Sequence, residues 1–252
     1  MNRKLICVLG FICLAGAAAP AWAGPEEDPN LVGWWKLDDG SGPVAADSSG
    51  NARDATIVGE PNWVEGVDGG ALLFDADMEY LTIPGFPGVL GTSSRTCTAW
   101  INTDKNAAAI MVWGQMDMGT KWTIRINEGG ELRNEVDAGY QYGTTNLLDD
   151  EWHHVAVVLE DDGSPNVEES RLYVDGLREN TGAVAEEPIN TLSDVDVHIA
   201  NDPMTGGREF VGLMDDVRIY DRALSETEIK KLAARVKAHD PSPADGATHE
   251  DT

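Results

Sequence analysis

The chain has 252 residues with 18 basic and 44 acidic side chains, so its formal net charge is −26 at pH 7. Because such a surface repels phosphate backbones, we expect no nucleic-acid partner. Cysteine usage excludes a disulfide framework, since two of the three cysteines lie in an N-terminal apolar run and only Cys97 follows it. Cys97 alternates with threonines, which predicts a buried, unreactive thiol on a strand.

The first 23 residues have the order of a secretory signal peptide. Arg3 and Lys4 precede an apolar run at residues 5–19, and a small-x-small cleavage site ends at Ala23. The run is shorter than the roughly 20 residues that span a membrane, so we expect cleavage, with a retained N-terminal anchor as the alternative. The mature protein, with a net charge of −28 (−26 minus 2), would be secreted, at the cell surface or in the periplasm, without membrane insertion.

After a lead-in at residues 24–30, short β-type runs recur between clusters of turn residues. The first run is 31–37. Apolar and polar residues alternate over 121–127, which predicts a half-buried strand. Residues 152–159 are apolar at nearly every position, which predicts a strand buried on both faces. Asp175 and Gly176 predict a tight turn.

One short helix is predicted near the C-terminus. Ser225 and Glu228 form a capping box, and apolar residues then recur at helical spacing at Ile229, Leu232 and Val236. The remaining residues, 237–252, are polar and are interpreted as a linker or tail. Many short strands and so little helix predict an all-β sandwich or barrel over residues 31–236.

Blocks of sequence between about residues 31 and 234 resemble the laminin-G-like domains of bacterial secreted proteins, within the concanavalin A-like lectin/glucanase superfamily. The most specific block is GLMDDVRIY at residues 212–220, followed by RALS. Earlier blocks, in order, are WKLDDGSG, ADSSGN, GALLFD, YLTIP, WHHVA and LYVDG. The resemblance implies a two-sheet antiparallel jelly-roll β-sandwich. It also implies a glycan-binding, protein-binding or spacer role, in many members with a structural Ca²⁺.

The resemblance places the first and last strands side by side, which would bring Asp47 and Asn51 close to Asp216. Ca²⁺ takes six to eight oxygen ligands from carboxylates, amides and carbonyls. We therefore expect a structural calcium site at these three residues, with Asp215 turned to the opposite face of its strand. The alternative for Asp47 is an ordinary Asx turn.

Aromatic rings with a wet rim are natural platforms for sugars. Alternation separates Trp34 from the core residue Trp35, while Tyr140 and Tyr142 precede a turn. We expect Trp34, Tyr140 and Tyr142 to form the ligand site; the alternative is that these rings only cover the sheet beneath a loop. Two further tryptophans, Trp100 and Trp152, are expected in the core.

No complete catalytic set is present in the sequence. Glu135 and Asp137 approach a glucanase carboxylate pair, but no third carboxylate follows. His153 and His154 are adjacent on a strand and so point to opposite faces. We therefore expect a non-catalytic module that binds an extracellular glycan or protein surface. The alternatives are a structural or adhesive spacer of a larger surface protein, and a divergent glycan-cleaving enzyme.

Overall fold

The computed structural model describes residues 27–76 and 78–234. The predicted signal peptide and the predicted tail, together with Val236, lie outside the described residues. Within those residues, no helix combines the length and the apolar character needed to cross a membrane.

Tight turns join some consecutive strands, and longer connections join others, such as residues 200–211 between β16 and β17. In chain order they are β1 (Leu31–Trp35), β2 (Val44–Ala45), β3 (Ala55–Val58), β4 (Asn62–Glu65), β5 (Gly70–Phe74), β6 (Tyr80–Thr82), β7 (Arg95–Asn102), β8 (Ala109–Gly114), β9 (Lys121–Ile126), β10 (Glu131–Glu135), β11 (Tyr140–Asn146), β12 (His153–Leu159), β13 (Arg171–Val174), β14 (Leu177–Arg178), β15 (Ala183–Ala185), β16 (Val195–Ile199) and β17 (Gly212–Tyr220). The helix, α1, is Glu226–Ala234.

The strands form two antiparallel sheets. The eight-stranded sheet has the order β14-β13-β12-β7-β17-β5-β4, and β1 pairs with β17. The nine-stranded sheet has the order β15-β11-β10-β9-β8-β16-β6-β3-β2. The predicted all-β, two-sheet jelly-roll sandwich with a single short helix is confirmed.

Local chemistry explains the tight turn between β13 and β14. Asp175 has a φ of 50° and Gly176 a φ of 76°. Two successive residues in the left-handed region match the right-handed twist of a hairpin, and Asp and Gly tolerate that region best. The predicted Asp175-Gly176 turn is confirmed.

The main core lies between the inner faces of the two sheets. It is built from the inward-facing apolar residues of each strand, as alternation requires. Its largest fully buried apolar side chains include Trp35, Trp113, Trp122, Phe74 and Phe210.

Cys97 belongs to this core, and burial raises the pKa of its thiol to about 12, so it is an unreactive thiol as predicted. Two tryptophans expected in the core differ from that expectation. Trp152 is only half-buried. Trp100 is 3% exposed, but it faces away from the core and packs edge-on against His154.

A second apolar cluster covers the outer face of the eight-stranded sheet. α1 packs Ile229 and Leu232 onto this face against Trp34, Tyr173 and Tyr220. This packing explains why β12 is buried on both faces, as its apolar run predicts.

The helix begins at the predicted capping box. The Ser225 hydroxyl accepts from Glu228 N–H at 3.3 Å, and the Glu228 carboxylate accepts from Ser225 N–H at 2.8 Å. Both bonds satisfy backbone donors that the first helical turn leaves free. The cap therefore fixes where the helix starts on the sheet.

Candidate functional site

The outer face of the nine-stranded sheet carries charged and aromatic side chains across β9, β10 and β11. Alternation turns the apolar side chains of these strands toward the core and the polar ones outward. The register sets Arg133 opposite Arg125 and Tyr142, and Glu135 opposite Tyr140. These five residues lie on one surface, which we call the Arg–Tyr face.

Glu135 joins the cations of the Arg–Tyr face. Its Oε2 atom accepts from Arg125 Nε at 3.1 Å and lies 2.9 Å from Arg133 Nη2, while its Oε1 atom accepts from Arg208 Nη1 at 2.7 Å. Burial on its own would raise the pKa of Glu135, but the three guanidiniums outweigh burial and hold the pKa below its ordinary value. The carboxylate is therefore ionised at neutral pH.

Residues 201–210, between β16 and β17, are held against the same sheet by ion pairs. Lys121 Nζ lies 2.7 Å from Asp202 Oδ2, and their side chains are 1% and 0% exposed. Arg208 contacts Asp202 at 3.1 Å as well as Glu135. The prediction that the strand at residues 121–127 is half-buried is wrong: every residue of β9 is buried, because this segment covers the outward-facing polar side chains.

The two predicted tyrosines lie together at the edge of the Arg–Tyr face. Tyr140 and Tyr142 are half-buried, and their rings are parallel within 14° with centroids 6.1 Å apart. The Arg133 guanidinium lies 3.8 Å from the centroid of the Tyr140 ring. Their cross-strand partners on β15 are Ala185 and Ala183, whose small side chains leave room beside the rings.

A second aromatic pair lies on the same sheet beyond β8. Tyr80 on β6 and His198 on β16 are half-buried, with ring centroids 5.6 Å apart and planes 30° apart. Their neighbours Leu81 and Ile199 point into the core, so alternation turns this pair outward. The outer face thus presents stacked rings on both sides of the β9 cations.

Trp34 has no open ring face for a sugar, contrary to its prediction as a platform. It does lie on an outer face, but on the other sheet, where α1 covers it and leaves it 4% exposed. Its Nε1 atom donates to Asp216 Oδ1 at 2.6 Å. Arg218 and Lys36 lie 4.5 Å and 4.4 Å from its ring centroid. Of the three predicted ligand residues, the structure therefore brings together only the tyrosines.

Asp47 organises a turn of backbone. Its Oδ1 atom accepts from the N–H groups of Trp34 and Ser49, and its Oδ2 atom accepts from the Ser49 hydroxyl and the Arg53 N–H. Burial opposes ionisation, but these hydrogen bonds together hold the pKa of Asp47 below its usual range. Asp47 therefore forms the Asx turn that was the alternative to calcium binding, and its bond from Trp34 N–H joins this turn to β1.

The other two predicted calcium ligands also form hydrogen bonds within the protein. Asn51 Nδ2 donates to Leu31 O at 3.0 Å, and Asp216 Oδ1 accepts from Arg218 as well as from Trp34. Among the described residues, no three His, Cys, Asp or Glu side chains are grouped so that they could hold a metal ion. Asp47, Asn51 and Asp216 do not fit a calcium ion in this arrangement, and calcium binding stays a prediction.

Within residues 27–76 and 78–234, the acids and histidines weighed above as catalytic candidates are held by other partners or lie apart from one another. Glu135 is locked by three arginines, and Asp137 lies in a turn with a φ of 70°. His154 is buried, and burial lowers its pKa to about 3. His153 lies between two aspartates and cannot share a ligand with His154, which faces the other way.

A sandwich of two antiparallel sheets with a single short helix defines the class of fold, and the comparisons identify the family. The model of the laminin G type 3 family, within the concanavalin A-like lectin/glucanases superfamily, matches residues 75–230. The match covers more than half of the chain, so the chain belongs to this family. None of the curated proteins matches its sequence.

Solved structures with the same fold include several binding domains. Domain 4 of an extracellular arabinanase from Geobacillus stearothermophilus, solved with arabinotriose, has a TM-score of 0.61 at 19% identity, and the match covers 81% of this chain and 98% of that one. The binding domain of Paraclostridial mosquitocidal protein 1 has a TM-score of 0.59 at 15% identity over 83% and 52% of the two chains.

The receptor-binding domain of botulinum neurotoxin type G has a TM-score of 0.57 at 16% identity, and the match covers 81% of this chain and 51% of that one. The present chain thus spans about half the length of the two toxin domains. At these identities the likeness establishes the fold alone.

Sequence reasoning missed most of the Arg–Tyr face. The predicted half-buried strand at residues 121–127 would turn Arg125 toward solvent. Arg208 lies in a segment whose sequence has no periodicity that would predict its position. The available signal was polar alternation: Lys121, Thr123 and Arg125 share one face of β9. Two cations among these three residues indicate a local positive charge, but not which segment covers it.

Proposed function

We propose that this protein is a non-catalytic binding module that holds an extracellular glycan or protein ligand on the Arg–Tyr face. The observation that carries the proposal is the half-exposed pair Tyr140 and Tyr142, stacked beside Arg133 on an outer sheet face. Rings of this kind offer apolar area and a hydrogen-bonding rim at low entropic cost, which suits both sugars and protein surfaces.

The state of Glu135 supports a role in binding rather than catalysis. A general acid at neutral pH needs a raised pKa, and a glycosidase nucleophile needs a second carboxylate facing it. Glu135 has a lowered pKa and three arginine partners. Its carboxylate therefore acts as an anchor for the guanidiniums.

The test is a glycan array followed by calorimetry on the ligands that bind. Tyr140→Ala and Tyr142→Ala should each weaken binding about tenfold, the cost of truncating a central tyrosine. Leu177→Ala is the matched control, because Leu177 is 63% exposed on the other sheet. A protein that binds no glycan and no surface ligand would instead be a spacer, and binding unaffected by both tyrosine variants would remove the site from this face.

We also propose that the protein is exported, on the strength of residues 1–23. Expression with the native N-terminus, followed by sequencing of the extracellular protein, should show a chain that begins at Gly24. An intact N-terminus on a membrane-bound product would favour the retained anchor.

A further inference from the structure

The Arg–Tyr face holds a concentration of positive charge that contrasts with the rest of the chain. Lys121, Arg125, Arg133 and Arg208 meet within one network of ion pairs. Three carboxylates, those of Glu128, Glu135 and Asp202, belong to the same network, so four positive charges face three negative ones. The network is net positive in a chain whose formal charge is −26.

Two of these guanidiniums have hydrogen-bond donors to spare. A guanidinium has five N–H groups. Arg133 uses Nη2 toward Glu135, and its buried Nε atom has no hydrogen-bond partner. Arg208 uses Nη1 for both Glu135 and Asp202, and within the described residues its other nitrogens form no hydrogen bond. The side chains of Arg133 and Arg208 remain 15% and 18% exposed, so both guanidiniums reach the surface of the network, although Arg133 Nε itself is buried.

The two guanidiniums are also held in fixed positions. They bind the two oxygens of one carboxylate, Glu135 Oε2 and Oε1, so a single side chain fixes both. The Tyr140 ring, 3.8 Å from the Arg133 guanidinium carbon, supports one of them. Paired, preoriented guanidiniums are suited to a planar carboxylate, because the fork geometry allows two parallel N–H···O bonds.

From this geometry we infer that the ligand of the Arg–Tyr face is an acidic glycan whose uronate carboxylate binds between Arg133 and Arg208. A neighbouring sugar ring of the same ligand stacks on Tyr142, next to the supported arginine. The inference rests on the proposed function, and it adds the chemical class of the ligand. Charge gives the site selectivity. The acidic surface elsewhere on the protein repels polyanions, so an acidic ligand is attracted only where its carboxylate contacts the arginines of this network.

The test compares uronate oligosaccharides with their methyl esters, which keep the sugar and remove the charge. Calorimetry with oligogalacturonate, oligomannuronate and oligoglucuronate should reveal at least one ligand, and its ester should bind at least about tenfold more weakly, as expected on losing hydrogen bonds to charged groups.

Three arginine variants locate the site. Arg133→Gln and Arg208→Gln should each lower affinity for the acid about tenfold and lower affinity for the ester by a smaller factor. Arg133→Lys, which keeps the charge without the fork, gives a second variant should the glutamine variants melt early, and it should lose part of the affinity. Arg171→Gln is the control, because Arg171 pairs with Glu160 on the other sheet.

The outcomes separate the two proposals. Equal affinity for acid and ester, or no effect of Arg133→Gln and Arg133→Lys, would overturn the acidic-glycan inference. If neutral glycans bind through Tyr140 and Tyr142 and no uronate binds, the inference fails while the binding function stands. If no glycan or protein ligand binds at all, both fail.

Discussion

Two adjacent histidines acquire opposite chemistry because strand alternation sends them to opposite faces of β12. His153 Nδ1 lies 2.9 Å from Asp175 Oδ2 and its Nε2 lies 3.2 Å from Asp149 Oδ1, and the bond to Asp175 chiefly raises its pKa. His154 is buried, and burial, helped by Arg218, lowers its pKa to about 3.

An NMR titration should therefore separate the two rings. His153 should titrate above its ordinary value of about 6.5, and His154 should stay neutral down to about pH 4. His153 contributes stability that is present below about pH 6.5 and lost as pH rises through its folded pKa. His154 has the opposite effect: the unfolded chain takes up a proton that the native state excludes, so stability falls as pH drops below about 6.5. Assignment by His153→Gln is the control, and a His154 signal that titrates near pH 6.5 would contradict the burial.

Glu135 offers a stability test of the ion-pair network. Glu135→Gln leaves Arg125, whose side chain is 2% exposed, with only the exposed Glu128 as an acidic partner, and it weakens the contacts with Arg133 and Arg208. Removing one partner of a buried pair costs about 3 kcal/mol or more, and we expect the low end because Arg133 and Arg208 are partly exposed. Urea unfolding measures the change. Glu160→Gln, at an exposed pair, should cost less than about 1 kcal/mol; equal costs for the two variants would mean that the network contributes nothing.

α1 packs on the outer face of the eight-stranded sheet and buries apolar side chains there. The helix is short, and nine residues in isolation would not be helical in water, so packing on the sheet stabilises it. Ile229, Leu232 and Leu224 bury Trp34 and Tyr220 beneath it. That part of the sheet face is therefore a second apolar core.

Ile229→Ala should cost about 2–5 kcal/mol of unfolding free energy, because it opens a cavity between the helix and the sheet. Denaturant unfolding gives the value. Lys230→Ala, one residue further, removes only an exposed pair with Glu226 and should cost about 0.5 kcal/mol or less. Were Ile229→Ala as mild as Lys230→Ala, the helix would not be docked as the structure describes.

Charge acts across the entire chain. A net charge of −26 opposes compaction through self-repulsion, and most of the acidic side chains lie outside the ion pairs of the Arg–Tyr face. The Debye length shortens from about 30 Å at 0.01 M salt to about 10 Å at 0.1 M, which screens repulsion between distant surface charges before it affects buried pairs.

The melting temperature should therefore rise as NaCl increases from 0.01 M to 0.1 M, as followed by calorimetry. A melting temperature that falls with salt would mean that surface ion pairs outweigh the repulsion.

The same calorimetry tests calcium binding. If EDTA leaves the melting temperature unchanged at fixed ionic strength, the prediction of a structural calcium site is wrong.

The amino-acid sequence alone determined the all-β class, the Asp175-Gly176 turn, the Ser225 cap and the burial of Cys97. These features depend on local periodicity, turn chemistry and short-range capping, which act between neighbours in the chain. The choice of a two-sheet jelly roll over a barrel came from the family resemblance.

Tertiary structure alone decided which outer faces are open. Alternation tells the two faces of a strand apart, but it cannot say what packs on the outer one. Trp34 became core because α1 lies over it, and Arg125 became buried because the segment that carries Asp202 and Arg208 crosses β9. The sheet register brings Arg125, Arg133 and Tyr140 together around Glu135 on the Arg–Tyr face. Arg208 reaches the same carboxylate from the long connection between β16 and β17.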